Sequence, residues 1–282
     1  MSLSSGGIPR LYSIARLGCA CHRGTLSATL ADTAMSDAAP TAQLEDVDVI
    51  LGGNHILHRV RLTLPAGCVT AVIGASGSGK STLLRLLNGL VTPNAGTVYR
   101  DGQALTPERL RDVRRDTGYA MQQIGLLPHL SIADNIALPL RLAGRDPDAI
   151  AARVAALLEA MQLSPELAAR YPAAASGGQQ QRAGLARALA LEPELLLLDE
   201  AFSGLDAITR LATHDQFVAL RGVEIKSALL VTHDLDEAAR LADRLVILNA
   251  GRIVREGPRD DVLTDPRDPY AIELVEAFQC AG

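Results

Sequence analysis

The chain has no tryptophan, 3 phenylalanines and 5 tyrosines among its 282 residues, so aromatic side chains are scarce. Proteins that stack on nucleic-acid bases need aromatic platforms, and those that grip phosphodiesters need basic surface. With a formal net charge of −5, neither is supplied, and no nucleic-acid partner is expected. Lysine is nearly missing as well: Lys80 and Lys226 are the only two, against 27 lysines and arginines together. There is no charge-free run of 18 apolar residues, the length that would suggest a membrane-crossing helix. Four cysteines are too few and too scattered for a disulfide framework. Cys19-Ala20-Cys21-His22 looks like a metal-ligand fragment, but no second pair follows at zinc-site spacing.

One of the two lysines ends the most ordered motif in the chain, Gly74-Ala75-Ser76-Gly77-Ser78-Gly79-Lys80-Ser81-Thr82. The apolar, β-rich run Val69 to Ile73 precedes it and Leu83 to Leu87, of helical character, follows, which is the strand, loop and helix context of a phosphate-binding loop. Glycines let the backbone curl so that successive N–H groups and a helix N-terminus face an anion. Lys80 is then placed for the β- and γ-phosphates and the Ser81 hydroxyl for Mg²⁺. By itself the string also fits a plain Gly/Ser turn. Leu195 to Leu198 is uninterrupted apolar sequence ending in Asp199-Glu200, the pattern of a strand buried on both faces. Its acids are expected at the strand's C-terminal edge, where open α/β sheets bind ligands. Asp199 is placed to hold Mg²⁺ and Glu200 to polarise an attacking water; the plainer account of such a pair is a helix cap.

Ser176-Gly177-Gly178-Gln179 precedes the helical stretch Gln180 to Leu191 and offers a second anion site at a helix start. Two such sites in one chain make sense if two chains face head to tail, each completing the other's nucleotide site. Gln122 or Gln123 after the strand-like Thr117 to Met121, Ser203-Gly204-Leu205-Asp206 after the acids, and His233 after Ala228 to Val231 complete the series.

With these motifs in this order, residues 41 to 278 resemble the ATP-binding subunit of an ABC transporter. The resemblance implies an α/β fold: a P-loop NTPase core with an N-terminal antiparallel β subdomain and an inserted helical subdomain at about 123–191, all within an ATPase domain spanning 41–282. It implies ATP and Mg²⁺ as ligands. Gly74, Ala75, Ser76, Gly77, Ser78, Gly79, Lys80, Ser81 and Thr82 become the Walker A loop, Ser176, Gly177, Gly178 and Gln179 the signature, and Asp199 and Glu200 the Walker B pair. Gln122 becomes the Q-loop glutamine, sharing the metal with Ser81 and Asp199; Asp206 closes the D-loop, and His233 is the switch histidine. Leu51, next to Ile50, stands where the family places an aromatic against adenine, so ATP and GTP are expected to be used with similar efficiency. Ala201 and Ala175 replace a customary proline and leucine without removing a catalytic group.

Four segments resemble the branch that imports osmoprotectants such as glycine betaine, choline and proline: Gln122 to His129, Gly178 to Arg182, Leu205 to Arg210 and Thr232 to Ala238. Ile208-Thr209-Arg210 carries most of that weight; an importer of methionine or another polar amino acid is the alternative, and a non-import ABC system a weaker one. The implied partners are a second ATPase subunit, membrane permease subunits that receive Ile124 to Leu130 through an exposed Leu126, Leu127, Pro128 and His129, and an extracytoplasmic substrate-binding protein. The implied location is the cytoplasmic face of the inner membrane.

Along the body, Leu44 to Val49 and Ile56 to Leu64 read as strands flanking Gly52-Gly53-Asn54. Ile132 to Leu191 reads as helices broken at Pro139, Gly144 to Pro147 and Ser164-Pro165; Asn249-Ala250-Gly251 reads as a hairpin and Asp261 to Phe278 as an amphipathic helix. Residues 1–40 read as an extension outside the domain, disordered or wrongly assigned. Residues 1–34 carry Arg10, Arg16 and Arg23 against the single acid Asp32 and show no strand or helix periodicity, while Met35-Ser36-Asp37 reads like a natural start. A chain begun at Met35 is accordingly expected to express, dimerise with ATP and hydrolyse it like the full sequence. Failure of the shortened chain to fold, or an intact mass showing residues 1–34 in the native protein, contradicts that expectation.

Overall fold

The computed structural model describes residues 39–121 and 125–279; residues 1–38 of the N-terminal extension, and Gln122, Gln123 and Ile124, lie outside them. Two long strands open the fold, β1 (Ala42–Leu51) and β2 (Asn54–Leu64), followed by β3 (Val69–Ile73), α1 (Lys80–Leu87), β4 (Ala95–Arg100), β5 (Gln103–Ala104), α2 (Leu110–Arg115) and β6 (Thr117–Ala120). Helices α3 (Ile132–Leu142), α4 (Pro147–Ala160), α5 (Pro165–Ala168) and α6 (Gly177–Leu189) come next. The chain then alternates through β7 (Leu195–Asp199), α7 (Ala207–Leu220), β8 (Ser227–Thr232), α8 (Leu235–Leu241) and β9 (Arg244–Asn249). It continues through β10 (Arg252–Pro258), α9 (Arg259–Thr264) and α10 (Pro269–Gln279).

These strands form an antiparallel sheet in the order β2-β1-β4-β5 and a six-stranded sheet in the order β10-β9-β3-β8-β7-β6. In the second sheet every pair is parallel except β9 with β10, joined through Ala250 and Gly251, whose positive φ values of 44° and 75° are those of a tight hairpin turn. The continuous apolar runs follow from burial on both faces. Leu196, Leu198, Ala228, Leu230 and Ile247 join one core with Ile136 of α3, Leu157 of α4, Leu189 of α6, Phe217 of α7 and Leu241 of α8. The alternate residues Leu195, Leu197, Leu229, Val231 and Leu248 join the other, against Leu83 and Leu87 of α1 and Val47, Leu62 and Val98 of the antiparallel sheet. At roughly 1.5–3 kcal/mol for each large aliphatic side chain withdrawn from water, the two cores hold the sheet between its flanking layers.

In three places the chain departs from its sequence pattern. Pro139 does not break α3 but lies within it. A proline removes one helical hydrogen bond, yet Ile132, Ile136, Ala137 and Leu140 remain buried along one face, and that packing carries the helix through. The C-terminal tail is two helices instead of one, parted at Asp265 to Asp268, where Pro266 cannot extend α9 and Arg267 takes a φ of 62°. Leu126 and Leu127 are half-buried, not exposed, with Leu126 packed on the first core. The cause is Asn135, fully buried on α3: its Oδ1 accepts from Leu127 N at 2.7 Å while Nδ2 donates to Leu127 O, Leu130 O and Ser131 O.

A second buried polar side chain ties the layers together. Arg100, at the end of β4 and 0% exposed, donates from Nε to Thr41 O, and from Nη1 to Leu87 O at 3.2 Å and Thr117 Oγ1 at 2.9 Å. Burial depresses its pKa, with Asp101 and Asp116 pulling the other way. Replacing it by Met keeps most of the volume but leaves these acceptors without their donor. Arg100→Met is therefore expected to lose about 2–4 kcal/mol in urea unfolding followed by circular dichroism. An unchanged midpoint would show that water supplies the missing bonds.

Candidate active site

Parallel register brings the motifs together. Ile73 pairs with Thr232 and Val231 with Asp199, so the ends of β3, β8 and β7 reach one edge of the sheet side by side. A cavity of about 630 Å³ opens there, lined by Ile56, Ser76, Gly77, Gly79, Lys80, Ser81, Thr82, Glu200 and His233.

The loop from Gly74 to Lys80 can take its shape only with glycine at two tight positions. A Cβ on Gly74 would lie 2.0 Å from Leu248 O; one on Gly79, whose φ is 105°, would lie 2.7 Å from Leu57 Cδ2. Inside the loop, Lys80 Nζ donates to Gly74 O at 2.7 Å and Ala75 O at 2.9 Å, and Ser78 N donates to Ala75 O. Burial lowers the pKa of this ammonium, opposed by Glu200 and Asp199. Ser81 Oγ donates to Asp199 Oδ1 at 3.0 Å. Tyr119 Oη reaches Asp199 Oδ2 at 3.3 Å, and burial first, then the Asp199 charge, push the Tyr119 phenol up to about 12.

Glu200 follows β7 with a φ of 47°, in the left-handed region that side chains with a Cβ avoid. Such backbone strain amounts to about 1–3 kcal/mol and persists only where the surroundings enforce it. Here Glu200 N donates to Val231 O, while Glu200 O accepts from Ser203 N and Ser203 Oγ. Its carboxylate Oε1 lies 3.5 Å from His233 Nδ1, the imidazole being largely exposed.

The remaining candidates stand elsewhere. Asp206 caps α7, accepting from Thr209 N at 3.0 Å, and the bonds from Thr209 hold its carboxyl below the usual range. Arg210, one turn further, donates to Leu205 O and to Asp234 Oδ2, linking the segment after Glu200 to the segment after His233. Ser176 and Gln179 form a reciprocal capping box at the start of α6, and Gly178 packs so closely on Thr209 that a Cβ would lie 2.3 Å from its methyl. Ser176 and Gly177 are exposed, and neither Gly178 nor Gln179 lines the cavity. Leu51 is 41% exposed and also outside the lining; the aliphatic residue at the cavity is Ile56. Neither Tyr119 nor Ile56 belongs to a motif, so only their positions on β6 and β2 could have marked them. Arg210 lay within a segment that the sequence had singled out.

A hydroxyl and a carboxylate converging at Ser81 and Asp199 suit a hard cation that draws further oxygens from a phosphate. Among the described residues there is no cluster of three or more His, Cys, Asp or Glu that would hold a metal unaided. The loop, the lone lysine and the acids suit a nucleotide polyphosphate.

Residues 57–203 match the family model described as ABC transporter. The chain belongs to that family. Its relatives include the choline transport ATP-binding protein OpuBA of Bacillus subtilis (strain 168), 42% identical over 79% of this chain and 59% of its own length. The glycine betaine/carnitine/choline transport ATP-binding protein OpuCA of the same strain is 41% identical over 83% of this chain and 62% of that protein. The methionine import ATP-binding protein MetN of Caulobacter vibrioides is 46% identical over 79% and 68%. The chain thus spans about three-fifths of the length of the two Bacillus relatives. Among solved structures, the dimeric ATP-binding cassette MJ0796 in a post-hydrolysis state with ADP and Pi superposes with a TM-score of 0.70 at 32% identity, covering 77% of this chain and 98% of that one. The α/β architecture with its antiparallel sheet is that of the ABC cassette.

Proposed function

We propose that the chain is the ATP-hydrolysing subunit of a membrane importer, with residues 41–282 as its ATPase domain and about 123–191 as the helical subdomain. The observation that carries this reading is the convergence of Lys80, Ser81, Glu200 and His233 on one cavity beside Asp199. In this reading the loop from Gly74 to Thr82 binds the phosphates through N–H groups other than that of Ala75, and Lys80 exchanges its carbonyl partners Gly74 O and Ala75 O for phosphate oxygens. Ser81, Asp199 and Gln122 hold Mg²⁺, which when bound neutralises charge developing on the phosphates. Glu200 orients and polarises the attacking water, and His233, within reach of its carboxylate, fixes the water and the γ-phosphate. Ile56, lining the cavity, offers apolar contact to the base, with the exposed Leu51 as a second contact, and on this reading ATP and GTP are discriminated weakly.

Ser176 and Gly177, exposed, together with Gly178 and Gln179, likewise outside the chain's own cavity, are offered to the nucleotide of a second subunit, with Asp206 between the two sites. The dimeric state of MJ0796 supports a second subunit. Among the described residues no helix is long and apolar enough to cross a membrane. Permease subunits would therefore supply the pore, docking on the segment whose Pro128 and His129 are exposed, and the ATPase works peripherally at the inner membrane's cytoplasmic face. An extracytoplasmic binding protein delivers the solute.

The solute class we favour is a quaternary amine such as glycine betaine or choline, or proline, which the names of the two Bacillus relatives support. Methionine is the second reading, supported by the 46% identity to the Caulobacter protein.

Glu200→Gln is expected to keep ATP binding, lower turnover by about two to four orders of magnitude and trap an ATP-bound dimer in gel filtration. Lys80→Ala is expected to weaken binding of a fluorescent ATP analogue. A Glu200→Gln protein with wild-type turnover removes that residue from the role, and unchanged affinity in folded Lys80→Ala removes the loop. For the solute, a deletion strain is expected to lose uptake of labelled glycine betaine and choline and to keep that of methionine. The opposite pattern selects the methionine reading.

A further inference from the structure

The C-terminal helix α10 reaches the loop from Gly74 to Lys80 through a side-chain hydroxyl. Ala75 N donates to Tyr270 Oη at 2.9 Å, across 195 positions of sequence. That N–H belongs to the same peptide unit as Gly74 O, which accepts from Lys80 Nζ at 2.7 Å. One peptide plane is thus held at its carbonyl end by the lysine and at its amide end by the tyrosine. Rotating it would break both bonds, so the Tyr270 hydroxyl fixes the direction in which Gly74 O points and with it the resting place of the ammonium.

Tyr270 is itself anchored. Asp268 Oδ1 accepts from Tyr270 N and Ala271 N at the start of α10. Ala271 and Val275 are buried at 0% and 3% exposure, and the half-buried Tyr270 and Phe278 pack on the same core. Because α10 lies against α8 and β10, the Tyr270 hydroxyl is presented to the loop from a packed helix. We propose that Tyr270 is a positioning residue for the phosphate loop, fixing from the C-terminal helix the peptide that holds Lys80. The consequence for nucleotide rests on the ATPase reading above; the effect on the loop does not.

Tyr270→Phe keeps the ring and removes only the hydroxyl that accepts from Ala75 N. In nucleotide-free protein, amide exchange at Ala75 is expected to speed up at least about tenfold, since the N–H loses its partner while the fold stays closed. KM for ATP, and the Kd of a fluorescent ATP analogue, are expected to rise together by about three- to tenfold, the scale of one neutral hydrogen bond, with kcat within about twofold. The Tm should stay within about 2 °C. Phe278→Leu loosens the same helix without touching the loop, and should lower Tm while leaving KM and Ala75 exchange unchanged. Wild-type exchange at Ala75 in Tyr270→Phe overturns the proposal, as does an equal rise of KM in Phe278→Leu. Wild-type protein that neither binds nor hydrolyses ATP would sink the ATPase reading instead, and the exchange measurement would still decide the role of Tyr270.

Discussion

Side-by-side parallel pairing of β3, β8 and β7 is the constraint on which the candidate site depends. Hydrogen-bonded neighbours in a parallel sheet end on the same edge, so the residues after Ile73, Thr232 and Leu198 meet without any loop having to reach across the molecule. Position in the sheet, more than side-chain attraction, assembles a lysine, a serine, two acids and a histidine. The Ser81–Asp199 bond is a result of this register and not its cause, since the strands are held by apolar cores on both faces.

The sequence made this part legible because its signals are local and strong. Largely apolar runs four or five residues long, each followed by a glycine loop, an acid pair or a histidine, describe both the strands and what stands at their ends. Contacts between distant segments leave no such trace. Nothing around Tyr270 announces that its hydroxyl reaches Ala75, and Arg100 looks like any surface arginine until Thr41, Leu87 and Thr117 close over it. Leu51 stands where the family places an aromatic, whereas Ile56, near the start of the next strand, belongs to no motif and lines the cavity. Proline misled in both directions: Pro139 is absorbed by a well-packed helix, and Pro266 divides a tail that reads as continuous.

Polar side chains cross between layers where the apolar cores cannot fix direction. Asn135 holds the turn before α3, and Arg187 Nη1 donates to Gly125 O at 2.7 Å, tying α6 to the start of the same segment. Arg210 does the same between the segments that follow β7 and β8. Apolar packing tolerates small slides, whereas these bonds have defined lengths and directions.

The left-handed backbone at Glu200 sets two selective pressures against each other at one residue. Glycine would relieve the strain and asparagine would reduce it, yet neither carries a carboxylate at the length that places Oε1 beside His233. Drift toward a more stable chain therefore runs, at this position, straight toward loss of the acid. On the proposed ATPase reading, this is a position where a thermally hardened descendant and a working one part company.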